Sequence, residues 1–233
     1  MPKLDWISDE MLSKSVVELL TIAKQAKKSA ADEFGKNVID PFSALFEMTG
    51  FETGYENWLI GETSRQAQKT LQNHIGEFHQ NILGACKRWE NMHTGNVIDL
   101  VCREEKIIAE IKNKFNTISG GKLSELYYSL DRLIMPQNSI YKNYTAYYVP
   151  VIPKKPARYN KAFVPSDKEK KVKCPVNEKI RETDGASFYD MVTGKANSLE
   201  ELFQVLPSVI TGITGKKIHD KEKLIVFFKM AYG

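Results

Sequence analysis

Apolar residues recur at three- and four-residue intervals near the start of the chain: Met11, Leu12, Val16, Leu19, Leu20 and Ala23. That is the period of a helix with one packing face, and Ser8 or Asp9 can cap it, so a helix is expected over about 9–29. Asp40-Pro41 starts a second, short helix, whose packing residues are Phe42, Leu45, Phe46 and Met48. Gly50 and Gly54 then mark a turn. Residues 56–83 read as one long helix, with Gly76 as the place where it would bend. Its amides (Gln66, Gln68, Gln72, Asn73, Gln80, Asn81) make it too polar to be buried all round. Such a helix lies on the surface or faces a ligand.

After this helix the period shortens to that of strands. A strand is expected at 85–89, then a turn through His93, Thr94, Gly95 and Asn96. Two apolar runs follow, at 97–102 and 107–111, separated by Arg103-Glu104-Glu105-Lys106. Short runs rich in Val and Ile and split by a polar turn form a β-hairpin. A helix is expected at 123–134, with Leu126, Tyr127, Leu130 and Leu133 on one face, and a Tyr- and Val-rich strand at 144–152. The order is helix, strand, strand, strand, helix, strand. Five prolines, at 150, 153, 156, 165 and 175, interrupt regular structure beyond it. A short strand is expected at 180–183. Ser198, with Glu201 at the third helical position, forms a capping box for a helix at 199–206. A last helix covers 221–232.

Composition changes this picture little. The 233 residues suffice for one large domain, and the 42% hydrophobic and 27% charged content is that of a globular protein. No apolar run approaches the roughly 18 residues that span a membrane. The first residues lack the apolar core of a signal peptide, so a cytoplasmic location is expected. Three cysteines (Cys86, Cys102, Cys174) make no disulfide framework. Cys86, His93 and Cys102 match no familiar zinc spacing. Charge distribution is more informative than its total of +4. Residues 153–182 hold ten lysines and arginines against four acids, a net +6, which leaves −2 for the rest of the chain. A positive excess gathered in one segment suits contact with phosphates; a solvated loop is the competing reading.

The hairpin carries the candidate chemistry. Side chains alternate faces along a strand, so Asp99 shares a face with Val97 and Val101, and Glu110 shares one with Lys112 and Lys114. Two carboxylates and an amine can then converge across paired strands. Such a set can hold Mg²⁺ and steady a phosphate and a water. An exposed hairpin with a salt-bridged Glu110–Lys112 face is the structural alternative. Glu62, on the amide-rich helix, is the further carboxylate expected to point toward the hairpin, with Glu77 as its rival.

Asp99 followed by Glu110-Ile111-Lys112 resembles the PD-(D/E)XK nuclease signature, with Ile98 where the motif's proline would stand. The stretches 75–84, 95–101, 108–114 and 184–189 further resemble a family of bacterial type II restriction endonucleases that cut GGNCC-type sites. That resemblance, running from about residue 56 onward, implies an α/β fold: a nuclease core with a mixed central sheet flanked by helices, and helical additions at both ends. It implies one nuclease domain over 1–233, divided into a helical region (1–55), a catalytic core (56–152) and a basic DNA-contacting segment with closing helices (153–233). It implies Mg²⁺ on Asp99, Glu110 and the Ile111 carbonyl, with Lys112 at the attacking water, and 5′-phosphate ends. It also implies double-stranded DNA as substrate and a cognate DNA methyltransferase as genetic partner.

Guanine is read by Arg or Lys and cytosine N4 by Asp or Glu in the major groove. Arg158, Asn160, Lys161, Arg181 and Asp184 are therefore candidate base readers, and Lys114 and Asn116 candidate phosphate contacts. A palindromic site calls for a homodimer. Its interface is expected from Leu19, Leu20, Phe42, Leu45 and Phe46, unless these pack onto their own core. A repair nuclease on the same core and a catalytically silent DNA-binding protein are the alternatives.

Overall fold

The computed structural model describes residues 2–36, 38–93, 97–119 and 121–233. Helix α1 (Asp9–Asp32) is capped by Ser8, whose hydroxyl accepts from the Met11 amide, and α2 (Pro41–Gly50) by Asp40. Both caps satisfy amides that a helix start leaves open. Helix α3 (Tyr55–Gly84) is a single element of 30 residues. The strand expected at 85–89 starts only at its end, as β1 (Trp89–Asn91). Strands β2 (Leu100–Cys102) and β3 (Ile107–Lys114) form the hairpin. The expected turn residues Thr94, Gly95 and Asn96 lie outside the described residues. Next come α4 (Lys122–Ile134) and β4 (Thr145–Ile152).

The basic segment is more ordered than its prolines suggested. It holds β5 (Asn160–Ala162), β6 (Ser166–Asp167) and β7 (Val172–Lys173), the last two pairing as a small hairpin. Strand β8 (Ile180–Thr183) precedes α5 (Gly185–Thr193), α6 (Ser198–Thr214) and α7 (Lys221–Tyr232). Ser198 does not cap α6. Its hydroxyl donates to Asp190 inside the protein, Asn197 occupies the cap position, and the helix continues through Pro207 to Thr214.

One mixed sheet has the order β1-β2-β3-β4-β8-β5. β1, β2 and β3 are antiparallel, β3, β4 and β8 run parallel, and β5 returns antiparallel on β8. Alternation divides the core between two faces. Leu100, Ala109, Ile111, Tyr147 and Val149 pack against α1, α3, α5 and α6. Val101, Ile108, Ala146, Tyr148 and Ile180 pack against α4. The middle of β4 is buried on both faces, as expected of a parallel strand covered by helices. This is the mixed α/β architecture expected, with the hairpin beside the sheet's center.

Candidate active site

Strand register sets the site. Leu100 lies opposite Ala109, and one further step places Asp99 opposite Glu110. The Asp99 amide donates to the Ala109 carbonyl at 2.9 Å, and its Oδ2 accepts from the Ile111 amide at 2.7 Å. The carboxylate is thus tied to the strand that carries the second acid. N–H and C=O of an extended residue point to the same side, so the Ile111 carbonyl faces this edge too. Lys112 Nζ sits 2.5 Å from Glu110 Oε1 and 3.9 Å from Asp99 Oδ2. The convergence read from parity is present.

The electrostatics are unfavourable as they stand. Side-chain exposure is only 16% for Asp99 and 13% for Glu110, so little water screens the two acids. Burial, and then the Asp99 charge, push the Glu110 carboxyl up to about 7. Burial also raises Asp99, against the pull of Lys112. Two acids and one ammonium leave one uncompensated negative charge. Glu110 Oε2 is buried and has no hydrogen-bond partner. A buried carboxylate oxygen without a donor is costly unless a proton or a cation occupies it. Two hard oxygen donors and a nearby carbonyl fit a divalent cation such as Mg²⁺. Among the described residues no cluster of three His, Cys, Asp or Glu side chains exists, so such an ion would need backbone, water or phosphate oxygens as well.

A cleft of about 550 Å³ opens onto Asp99, Ile111 and Lys112. Helix α3 forms one wall with Gln72, Asn73, Gly76, Glu77 and Gln80; the end of β3 and the following turn form the other, with Asn113, Lys114, Asn116 and Thr117. Gly76 marks where the helix passes the strand: a Cβ there would lie 3.9 Å from the Asn113 amide, an ordinary contact. Lys114 and Asn116 therefore share the cleft with Asp99 and Lys112. Gln80 lines the cleft beside Asp99 and helps hold its carboxyl down. Sequence reasoning counted Gln80 only among the amides of the long helix. Its spacing of four from Gly76 was the signal available.

Other expected residues lie elsewhere. Glu62 is buried and turned onto Arg65 and Gln66, with 2.5 Å to Arg65 Nε, and Arg65 holds its carboxyl below the usual range. It is 18 residues from Gln80, about 27 Å along the helix. The structure does not bring it to the hairpin; Glu77 lines the cleft instead, bonded to His74 at 2.7 Å. Asp184 is 1% exposed and caps α5, accepting from the Ser187 and Tyr159 amides, so it faces no groove. Arg158 pairs with Asp190. Arg181 bonds Asn160 and Glu178. Lys161 lies 3.6 Å from Glu182 in a separate cleft.

The model of the Eco47II restriction endonuclease family matches residues 4–214. The type II restriction enzyme Eco47II of Escherichia coli is 48% identical over the full length of both chains. The type II restriction enzyme Sau96I of Staphylococcus aureus is 29% identical, over 88% of this chain and 78% of its own. No solved structure matches.

Proposed function

The chain belongs to the Eco47II restriction endonuclease family, and is thereby a site-specific DNA endonuclease, and we propose that Asp99, Glu110 and Lys112 are the residues with which it cuts. The observation that carries this is the orphaned Oε2 of Glu110, a residue opposite Asp99 on the hairpin whose neighbours Asp99 and Lys112 line the cleft. The substrate is double-stranded DNA with a short palindromic GGNCC-like site. Asp99, Glu110 and the Ile111 carbonyl hold Mg²⁺. Once bound, this ion lowers the pKa of a coordinated water and polarises the phosphoryl oxygen.

The protein's own groups do the rest. Lys112, held 2.5 Å from Glu110, orients the attacking water by donating to it and stabilises its hydroxide form. The Ile111 amide keeps Asp99 from rotating away, with Gln80 beside it in the cleft. Lys114 and Asn116 contact a flanking phosphate at the mouth of the cleft. The water oxygen bonds to phosphorus and the bond to the 3′ oxygen breaks, leaving a 5′-phosphate and a 3′-hydroxyl.

A palindrome matches a two-fold symmetric homodimer in which each subunit cuts one strand. Leu19 and Leu20 pack onto their own core, whereas Phe42 and Phe46 of α2 are each 72% exposed. The α2 face is therefore the dimer face in this reading. A methyltransferase that modifies the same site would protect the host DNA. No described helix is long and apolar enough to cross a membrane.

The test is digestion of a sequenced plasmid with Mg²⁺ and with EDTA, followed by mapping of the ends. Discrete Mg²⁺-dependent cuts at GGNCC sites with 5′-phosphates are expected. Cutting confined to branches or flaps, or unaffected by EDTA, would overturn the proposal.

A further inference from the structure

Tyr148 on β4 lies in register with Glu110 on β3 and with Glu182 on β8. Neighbours in register share a face, so the phenol stands between two carboxylates. It is 3% exposed, and its hydroxyl has no hydrogen-bond partner. Among the described residues, this hydroxyl and Glu110 Oε2 are the two buried side-chain polar atoms left unpartnered. A buried hydroxyl without an acceptor costs stability, and phenylalanine would fill the same space without that cost. The site therefore keeps a polar group that packing alone does not need.

The two carboxylates are not equivalent as acceptors. Glu182 is engaged at both oxygens: Oε1 accepts from the Tyr159 hydroxyl at 3.0 Å, and Oε2 lies 3.6 Å from Lys161 Nζ. Glu110 uses Oε1 for Lys112 and has nothing on Oε2. The unmet donor and the unmet acceptor stand on adjacent strands and the same face.

We infer that Tyr148 is a positioning residue for the metal site: its hydroxyl donates to Glu110, directly or through one water, and holds that carboxylate in the orientation that takes up a divalent cation. The inference rests on Asp99 and Glu110 being the metal ligands. Groups that orient a ligand from behind typically change metal affinity or activity by about 10–100-fold when removed. Lys112 cannot do this alone, because in the proposed reaction its ammonium turns to the attacking water.

The experiment compares full-length wild type, Tyr148→Phe and Glu110→Gln. Mn²⁺ is titrated into each protein and followed by calorimetry, metal-free thermal unfolding is recorded, and the Mg²⁺ concentration for half-maximal cutting is measured. For Tyr148→Phe the expected results are a metal-free midpoint equal to or above wild type, Mn²⁺ binding weakened about tenfold, and a matching rise in the Mg²⁺ requirement. Unchanged Mn²⁺ affinity and Mg²⁺ requirement would overturn the inference and leave Tyr148 a packing residue. Glu110→Gln separates the two levels. If it loses Mn²⁺ binding while Tyr148→Phe keeps it, only the role of Tyr148 fails. If Glu110→Gln binds Mn²⁺ as wild type does, or wild type takes up none, the ligand assignment fails and this inference with it.

Discussion

Replacing Glu110 with glutamine distinguishes a metal site from a structural ion pair without any measurement of cutting. In the folded, metal-free protein, burial and Asp99 push the Glu110 carboxyl from an ordinary 4.5 up to about 7. A carboxyl raised on folding contributes its full stability below the unfolded value and loses it as pH rises through the folded one. At about 1.36 kcal/mol per pH unit, this loss comes to roughly 3 kcal/mol between pH 4.5 and pH 7. Glutamine does not titrate, so Glu110→Gln avoids the loss. It also gives up the 2.5 Å contact with Lys112, which reduces the gain. We expect near parity with wild type at pH 4.5 and an advantage of about 1–3 kcal/mol for the variant at pH 8. For a chain of this size that is a difference of roughly 3–10 °C in melting temperature, read by calorimetry in EDTA. Mg²⁺ should then raise wild type and leave the variant unmoved. If Glu110→Gln were destabilised at pH 8 as much as at pH 5, the Glu110–Lys112 contact would be a stabilising ion pair and the reasoning would fail.

Lys112→Ala should abolish cutting while the variant still retards a GGNCC duplex in a gel-shift assay; loss of binding would make Lys112 a phosphate anchor. Glu62→Ala should cut at the wild-type rate in a single-turnover assay, whereas Gln80→Ala, which frees Asp99, should slow cutting by roughly tenfold. Gly185→Ala should destabilise the protein by more than about 2 kcal/mol in urea unfolding, because the added Cβ would collide with the Val151 carbonyl oxygen. Burial lowers the His79 ring to about 4. Stability should therefore fall by about 2 kcal/mol, discounted for residual exposure, as pH drops from 6.5 to 4. His79→Gln, which can still pair with the Tyr189 hydroxyl, should flatten that slope in acid titrations followed by circular dichroism.

The hairpin could be read from the chain because its information is local. Parity puts Glu110 and Lys112 on one face of their strand, and a short polar turn to the neighbouring strand brings Asp99 opposite Glu110. The fourth member of the site depends on a distant contact. Along a 30-residue helix, nothing in the sequence says where the helix crosses the sheet, so the expectation falls on Glu62 with Glu77 only as its rival. The helix crosses beside Asn113 near Gly76, and that places Glu77 and Gln80, not Glu62, along the cleft. Asp184 lies away from any groove for a different reason. It stands three residues before Ser187 at a helix start, a capping signal, but its place in a basic segment drew the reading toward DNA. Ser198 shows the reverse, a capping signature overridden when tertiary packing supplied Asp190 as a partner. Arg158, Asn160, Lys161 and Arg181 share one limit: charge counts show that a segment is basic but not that its cations face acids and amides of the same chain.

The central claim is that hydrolysis depends on the carboxylates of the hairpin. Its most direct test is the single-turnover cutting rate of a duplex with one GGNCC site, at saturating Mg²⁺, for wild type and for an Asp99→Ala variant shown to bind that duplex. Losing a metal-holding carboxylate removes several kcal/mol of transition-state stabilisation, so the account predicts a rate lower by on the order of a thousandfold or more. A rate within tenfold of wild type would contradict it.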